Sequence, residues 1–412
     1  MKKGKIFISI ASYRDPELIP TIDDCIKKAS HPSKLCFCVL NQYCDDDSFN
    51  NFKKYRKDKR FKFIDLNYKQ SRGVCFARSI ISSHFSEEEY YLQLDSHHRF
   101  VKGWDEICKS KLRSLKKQGI KKPLLSSYLP SYDPDGDRLK ASWRLVCDRF
   151  MPEGPIFLKP HSIDNPSGLE LARFLGGHFI FTSGKFCQQV PYDPFLYFHG
   201  EETSLSARAY THGYDIFHLD EVVAWHFYGR KNNIRHWDDD SKWGDLNLFS
   251  FRRYRSLLLM DDKKDRGLGP YGLGSCRSLS DYENFCGIKF SSRQISQDAK
   301  DGVPPCRSSN LSAQNLLSEF KYCLDVPLSV LPENDYDFFA IAFHDKDDKE
   351  ICRLDAAKAE VRSILTSADS SASHLTIWRQ FEYSSVPDSW VFWPRSAASG
   401  YGDRIQHKIP QG

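Results

Sequence analysis

Asp95-Ser96-His97 carries the densest chemistry in this 412-residue chain. It ends the run Tyr90-Tyr91-Leu92-Gln93-Leu94, whose aromatic and aliphatic composition suits a buried strand, and a second imidazole, His98, follows. Asp95 and His97 are two residues apart, so on an extended backbone both side chains leave the same face. One oxygen donor beside one nitrogen donor suits Mn2+ or another divalent first-row ion. The same spacing also serves a turn in which the aspartate bonds its own backbone, so spacing alone leaves both readings open.

Three other places hold groups that could do chemistry. Glu201 and Glu202 follow an aromatic run and open a helix, where the dipole favours carboxylates and simple capping would explain them. His226 sits in Val222-Val223-Ala224-Trp225-His226-Phe227-Tyr228, a strand-like run in which a satisfied core histidine is the ordinary expectation. Gly176 and Gly177, just before His178, interrupt the apolar run 174–182. Close approach to a ligand or a neighbouring strand fits them, and so does a bulge. The glycine-rich stretch 267–274 lacks the spacing and the Lys-Ser/Thr of a phosphate-binding loop.

These residues need elements to position them. An apolar run from Lys5 to Ser12 predicts a first strand, and Pro16 forces a loop after it. Leu18, Ile22, Cys25, Ile26 and Ala29 recur at helical spacing, and the runs 35–40 and 61–66 read as strands. A helix opens at Gly73, and the polar stretch Ser86-Glu87-Glu88-Glu89 before Tyr90 is helix-like as well. Strand and helix alternate with short loops, the pattern of an open, mostly parallel α/β sheet. Such sheets bind ligands beyond the carboxyl ends of their strands, where Asp95 and His97 would lie. The segment 130–166 is rich in Pro, Asp and Gly, with a strand expected near 139–145. Composition shifts to Ser, Gln, Asp and Pro after residue 290, which divides the chain into an α/β domain at 1–290, a linker at 291–322 and a small β-rich accessory domain at 323–412. That last domain has aromatic runs that suit a carbohydrate- or protein-binding module or a structural appendage.

Composition excludes several classes. A net charge of +5 is mild for this length; it can attract a nucleotide diphosphate but does not announce a nucleic-acid binder. No stretch approaches 18 uninterrupted apolar residues, and Ile6 to Ile10 is too short for a signal peptide. The 13 cysteines are odd in number, scattered and without a Cys-x-x-Cys pair, as expected of free thiols in a reducing cytoplasm.

Five stretches occur in one order: Ile8-Ser9-Ile10-Ala11-Ser12-Tyr13-Arg14-Asp15-Pro16-Glu17-Leu18, Arg72-Gly73-Val74-Cys75-Phe76-Ala77-Arg78, Gln93-Leu94-Asp95-Ser96-His97, Phe198-His199-Gly200-Glu201-Glu202 and Gly274-Ser275-Cys276-Arg277-Ser278-Leu279-Ser280-Asp281-Tyr282-Glu283. Together they resemble the cytosolic N-acetylglucosaminyltransferase family that modifies hydroxyproline on the F-box adaptor subunit of ubiquitin ligases. That family is similar in turn to the polypeptide N-acetylgalactosaminyltransferases with their Asp-x-His metal motif. The resemblance covers residues 5–290. It implies a GT-A type nucleotide-sugar-binding sheet flanked by helices, Mn2+ dependence, a UDP-sugar donor and retention of anomeric configuration.

The resemblance also implies roles. Asp95 and His97 would ligate the metal, with His226 as third ligand, and Asp95 would count in the donor site too. Ala11, Ser12, Tyr13, Arg14 and Asp15 would lie along the uridine and ribose. Arg72, Gly73 and Arg78 would line the donor pocket, and Gly176, Gly177 and His178 would flank the donor sugar. Glu201 or Glu202 would be the catalytic carboxylates, contacting sugar hydroxyls rather than attacking as nucleophiles. The expected function is transfer of a sugar, GlcNAc first among candidates, from a UDP-sugar to a hydroxyl on a protein acceptor. The alternative from another class is a non-catalytic nucleotide-sugar- or glycan-binding protein with a degenerate transferase domain. A metal-dependent phosphoesterase is the third reading, weakened by the lack of a second metal cluster.

Overall fold

Alternation along the strands decides how this chain folds. Ile6, Ile8 and Ile10 enter one core cluster while Phe7 enters another. Phe37 and Val39 likewise oppose Cys38 and Leu40. Strands that are apolar on both faces must be covered on both, which demands helices on each side of the sheet.

The computed structural model describes residues 1–410 except 135, 137, 140, 164, 165, 167, 230–232, 262–266, 334 and 368–371. The chain divides into two units, Met1–Ser292 with Asp298–Ala313, and Arg293–Gln297 with the chain from Gln314 onward. The first unit begins β1 (Lys2–Tyr13), α1 (Leu18–Lys28), β2 (Leu35–Tyr43), α2 (Lys53–Arg56), β3 (Phe61–Asn67), α3 (Val74–Ser82), β4 (Glu88–Asp95), β5 (His98–Phe100) and α4 (Trp104–Lys117). It continues with β6 (Pro123–Ser126), β7 (Ser142–Phe150), β8 (Ile156–Ile163), β9 (Glu170–Leu171), β10 (Phe179–Ser183), α5 (Phe186–Gln189) and α6 (Glu201–Thr211). Then come β11 (Asp215–His218), β12 (Ala224–His226), α7 (His236–Asp239), α8 (Trp243–Leu257) and α9 (Leu279–Cys286).

Eight strands form one sheet in the order β3-β2-β1-β4-β10-β6-β11-β9. β1 runs parallel to β2 and β4, and β2 parallel to β3, whereas β10 is antiparallel to both its neighbours. Helices α1 and α4 bury Leu18, Ile22, Trp104 and Leu112 in the first cluster, and α3 and α6 bury Cys75, Ile81, Leu205 and Ala209 in the second. The chain leaves β1 toward β2 on one side and returns to β4 on the other. That switch point opens a crevice at the carboxyl ends, where Ala11 lies opposite Asp95.

The α/β sheet flanked by helices and the β-rich C-terminal part are as expected. Some local expectations fail. Ser86-Glu87-Glu88-Glu89 is not helical: Glu87 takes a φ of +67°, and Glu88 is buried at the start of β4 with its carboxylate 2.9 Å from Lys2 Nζ. Sheet pairing overrides local propensity here. The strand expected near 139–145 is β7, which starts at Ser142 and pairs antiparallel with β8; parts of the 130–166 segment lie outside the described residues.

Within 291–322, where a linker was expected, a strand at Gln294–Ser296 pairs antiparallel with the strand Leu316–Pro327, both in the second unit. Leu316–Pro327 pairs in turn with His374–Tyr383. Tyr336–His344 lies between Glu350–Arg353 and Ser389–Ser396, and Leu324, Ile341, Phe343 and Phe392 share one apolar core.

Candidate active site

The site begins with strand ends. Asp95 is the last residue of β4, and His97 follows before β5. β5 pairs antiparallel with β12, which sets His226 opposite His98 and so beside the Asp-x-His stretch. His226 Nε2 lies 3.0 Å from His97 Nε2 and 3.3 Å from Asp95 Oδ2, and His97 Nε2 lies 3.8 Å from the same oxygen. The three ligand atoms fall within 4.8 Å of one another. His97 and His226 are only 3% and 6% exposed.

Groups behind these atoms orient them. His97 Nδ1 sits 2.7 Å from Asp15 Oδ2, and that carboxylate also accepts a 2.6 Å bond from Ser96 Oγ. A carboxylate on Nδ1 leaves Nε2 as the lone pair, the arrangement seen behind metal-binding histidines. Burial and the neighbouring His97 hold His226 well below its ordinary pKa, so its ring is neutral. Burial also pushes His98 and His178 down. For Asp95 burial acts upward, but Arg78, His226 and His97 outweigh it and hold the carboxyl well below the usual range.

Arg78, on α3, ties two carboxylates together. Its Nη2 donates to Asp95 Oδ1 at 2.6 Å and its Nη1 pairs with Glu201 Oε1. Asp95 therefore gives one oxygen to Arg78 and turns the other toward the histidines. Glu201 also accepts from Tyr192 Oη at 2.8 Å, Tyr192 accepts from Gln93 Nε2 at 2.7 Å, and Tyr91 Oη donates to Gln93 Oε1 at 2.8 Å. Glu202, its neighbour on α6, behaves differently. It accepts the Gly177 N–H at 3.0 Å, and burial pushes its carboxyl up to about 7. Adjacent residues thus hold carboxylates of different character, one locked in an ion pair and one poised to titrate.

Two cavities flank this cluster. The first, about 490 Å³, is lined by Ala11, Tyr13, Gln42, Gly73, Tyr197 and Trp237 among others. The second, about 340 Å³, is lined by Arg78, Gly177, His178, Glu201, Glu202, His226 and Tyr228 among others. Asp95 and Phe198 border both.

The site residues expected from the sequence divide accordingly. Ala11, Tyr13 and Gly73 face the first cavity; Gly177, His178, Glu201 and Glu202 face the second. Ser12 is fully buried beneath the strand end. Arg14 turns to Asp47 at 2.9 Å and Asp239 at 3.1 Å, and Asp15 lies buried under His97. Arg72 stays exposed with its guanidinium over Phe76 and enters neither cavity. Gly176 answers to close backbone approach: a Cβ there would meet the Ser127 carbonyl oxygen at 2.8 Å.

Sequence reasoning missed Gln42, Tyr197, His236 and Trp237 in the first cavity, and Gln93 and Tyr192 beneath the second. Gln42 had a readable signal, since an apolar strand ends there in polar residues just as β4 does. Tyr197, His236 and Trp237 depend on α7 folding over the site, where Tyr13 Oη reaches Asp239 at 2.7 Å and Tyr197 Oη meets His236 Nδ1 at 2.7 Å, whereas Gln93 and Tyr192 meet through the fold beneath Glu201.

A mostly parallel sheet with helices on both faces, and polar groups gathered at its switch point, is the GT-A type of α/β fold. The family model described as Glycosyltransferase (GlcNAc) matches residues 5–60 and 48–292, and the chain belongs to that family. No curated protein matches the chain. Among solved structures it is similar to GalNAc-T7 with UDP, GalNAc and Mn2+, at 14% identity and a TM-score of 0.48, covering 68% of this chain and 54% of that one. It is also similar to S. aureus TarS residues 1–349 in complex with UDP-GlcNAc, at 14% identity and a TM-score of 0.38, covering 59% and 64%. S. aureus TarS itself matches at 10% identity and a TM-score of 0.39, covering 98% and 77%. The chain spans about half the length of the GalNAc-T7 chain, as the 54% coverage states. No helix among the described residues is long and apolar enough to cross a membrane.

Proposed function

We propose that the protein is a divalent-metal-dependent, retaining glycosyltransferase that moves a sugar, GlcNAc first, from a UDP-sugar to a hydroxyl on a protein acceptor. One observation carries this reading. Asp95 Oδ2, His97 Nε2 and His226 Nε2 converge on one point at the wall between the two cavities. Two imidazole nitrogens 3.0 Å apart beside a carboxylate can turn their lone pairs on one cation, and an oxygen with two nitrogens suits Mn2+. Asp95, His97 and His226 would hold the ion. When bound, it supplies positive charge to the diphosphate that leaves with the nucleotide.

The remaining work falls to the chain's own residues. Uridine and ribose lie in the first cavity, along Ala11 and Tyr13, with Gly73 allowing close approach of the backbone. Tyr197 and Trp237 give that cavity aromatic walls, which suit a planar base. The donor sugar lies in the second cavity, where Glu202 accepts from its hydroxyls and Gly177 and His178 form the wall. Glu201 is occupied by Arg78 and Tyr192, so it positions Asp95 through Arg78. With Glu201 held by Arg78 and Glu202 given to the sugar hydroxyls, the acceptor hydroxyl attacks from the leaving-group side and the departing phosphate takes its proton. The two-carboxylate scheme of glycoside hydrolases does not carry over. Phe157 and Phe198, 37% and 45% exposed at the mouth of the second cavity, offer the acceptor an apolar rim.

Calorimetry of UDP binding with Mn2+ and with EDTA tests the assignment. Wild-type protein binds UDP more tightly with Mn2+, and Asp95→Ala loses that difference. Unchanged UDP affinity of Asp95→Ala in excess Mn2+ removes Asp95 from a metal site.

A further inference from the structure

His98 is absorbed by none of the roles above, yet it is fully buried beside them. We propose that His98 is a positioning residue that holds His226 in the tautomer and orientation needed to present Nε2 to a cation. The inference rests on the reading of Asp95, His97 and His226 as a metal site.

His98 Nδ1 lies 3.1 Å from the main-chain oxygen of Asp95. A carbonyl oxygen only accepts, so Nδ1 carries the hydrogen and Nε2 of the neutral ring is a lone pair. That Nε2 is buried and has no hydrogen-bond partner among the described residues. His226 is in the complementary position. Its Nε2 faces Asp95 and His97, so as a ligand it must be the lone pair and Nδ1 must carry the hydrogen. His226 Nδ1 is also buried and without a partner among the described residues.

The two rings are cross-strand neighbours, opposite each other in the β5–β12 ladder, with centroids 5.0 Å apart and planes at 68°. A buried donor and a buried acceptor on adjacent rings, both otherwise unmet, satisfy each other through a small ring rotation or one bridging water. The result is a relay from the Asp95 carbonyl through His98 to His226. It parallels the support that Asp15 gives His97 Nδ1 at 2.7 Å. Each histidine ligand then has a partner behind it, one a carboxylate and the other an imidazole anchored to backbone. Such partners fix ring orientation, and removing one typically lowers metal affinity about 10–100-fold.

The test measures Mn2+ binding to the full chain without donor, from the electron paramagnetic resonance signal of free Mn2+, for wild type, His98→Phe and His98→Gln. His98→Phe fills the space but cannot accept, and it should bind Mn2+ about 10–100-fold more weakly. His98→Gln keeps an acceptor oxygen and should stay near wild type. Side-chain 15N NMR of the wild type should report His98 with its hydrogen on Nδ1 in the metal-free chain, and a hydrogen-bonded His98 Nε2 once diamagnetic Zn2+ is bound in place of Mn2+. Equal Mn2+ affinity of wild type and His98→Phe, or a hydrogen on His98 Nε2, overturns the proposal. A wild type that binds no Mn2+ sinks the metal reading itself, whereas a hydrogen on His98 Nε2 in the metal-free chain sinks the placement of His98 alone. Should His98→Phe fail to fold, the same assignment on wild type decides.

Discussion

Asp95 shows how much depends on a single carboxylate having two oxygens. Oδ1 meets Arg78 and Oδ2 faces His97 and His226. Arg78 is 2% exposed and balances Asp95 and Glu201 together, so Arg78→Met strands two carboxylates. Urea denaturation should show a loss of about 3–5 kcal/mol, the cost of breaking a buried pair from one side. A loss under 1 kcal/mol would mean that water already screens the pair. Glu202 gives a pH prediction. Its carboxyl titrates at about 7 in the folded protein, above the ordinary value of 4.5, so its stabilising contribution is complete below pH 4.5 and lost as pH rises toward 7. Glu202→Gln, neutral throughout, should match wild type at pH 4 and exceed it by about 2 kcal/mol at pH 8, allowing for partial exposure. Equal stabilities at both pH values would place Glu202 in water. Asp95 and His97 were legible as close donors at a strand end, although residues 96 and 97 form a bend beyond β4 rather than the extended backbone that alternation assumes. The neighbourhood of His226 was not, because it depends on β12 pairing with β5 across more than a hundred residues of chain. Glu201 and Glu202 are equivalent in sequence, and the tertiary placement of Arg78, Tyr192 and Gly177 separates them.

Among the elements, α3 and the loop before it are the most demanding. Gly73 opens the helix with a φ of +96°, and a Cβ there would lie 2.8 Å from Tyr197 Cδ2 and 2.9 Å from its carbonyl oxygen. Gly73→Ala should cost about 1–3 kcal/mol from backbone strain and overpacking, and it should weaken UDP binding by displacing Tyr197 from the first cavity. Thermal denaturation and UDP calorimetry check the two effects; a variant unchanged in both would show that Tyr197 moves freely. Strands β2, β3 and β4 and helix α1 were legible as apolar runs and helical spacing, because their burial follows local pattern. Ser86 to Glu89 misled because a run of glutamates favours helix locally. The register of Lys2 with Glu88 draws that stretch into the sheet instead. The basic stretch 53–60 yields only the short α2, since Phe61 must begin β3 in register with Phe37.

At the scale of the whole molecule, the boundary near residue 290 was a composition signal, and contacts within the first unit lie beyond it. Arg144 donates to the Gly302 carbonyl at 2.6 Å, and Arg173 donates to the Cys286 carbonyl at 2.9 Å and to that of Val303. The segment Asp298–Ala313 therefore belongs with the α/β unit, although its Ser- and Pro-rich composition resembles a linker. A chain ending at Ala313 should remain soluble and bind UDP, whereas one ending at Phe290 loses one carbonyl acceptor from each of two buried guanidinium groups and should aggregate. Soluble, UDP-binding protein from the shorter chain would show that those arginines find other partners. Metal-dependent transfer from a UDP-sugar is tested by UDP release from a panel of UDP-sugars, with Mn2+ and with EDTA. Release should require Mn2+ and be fastest with UDP-GlcNAc. UDP that fails to bind, or release that is indifferent to EDTA, would contradict it.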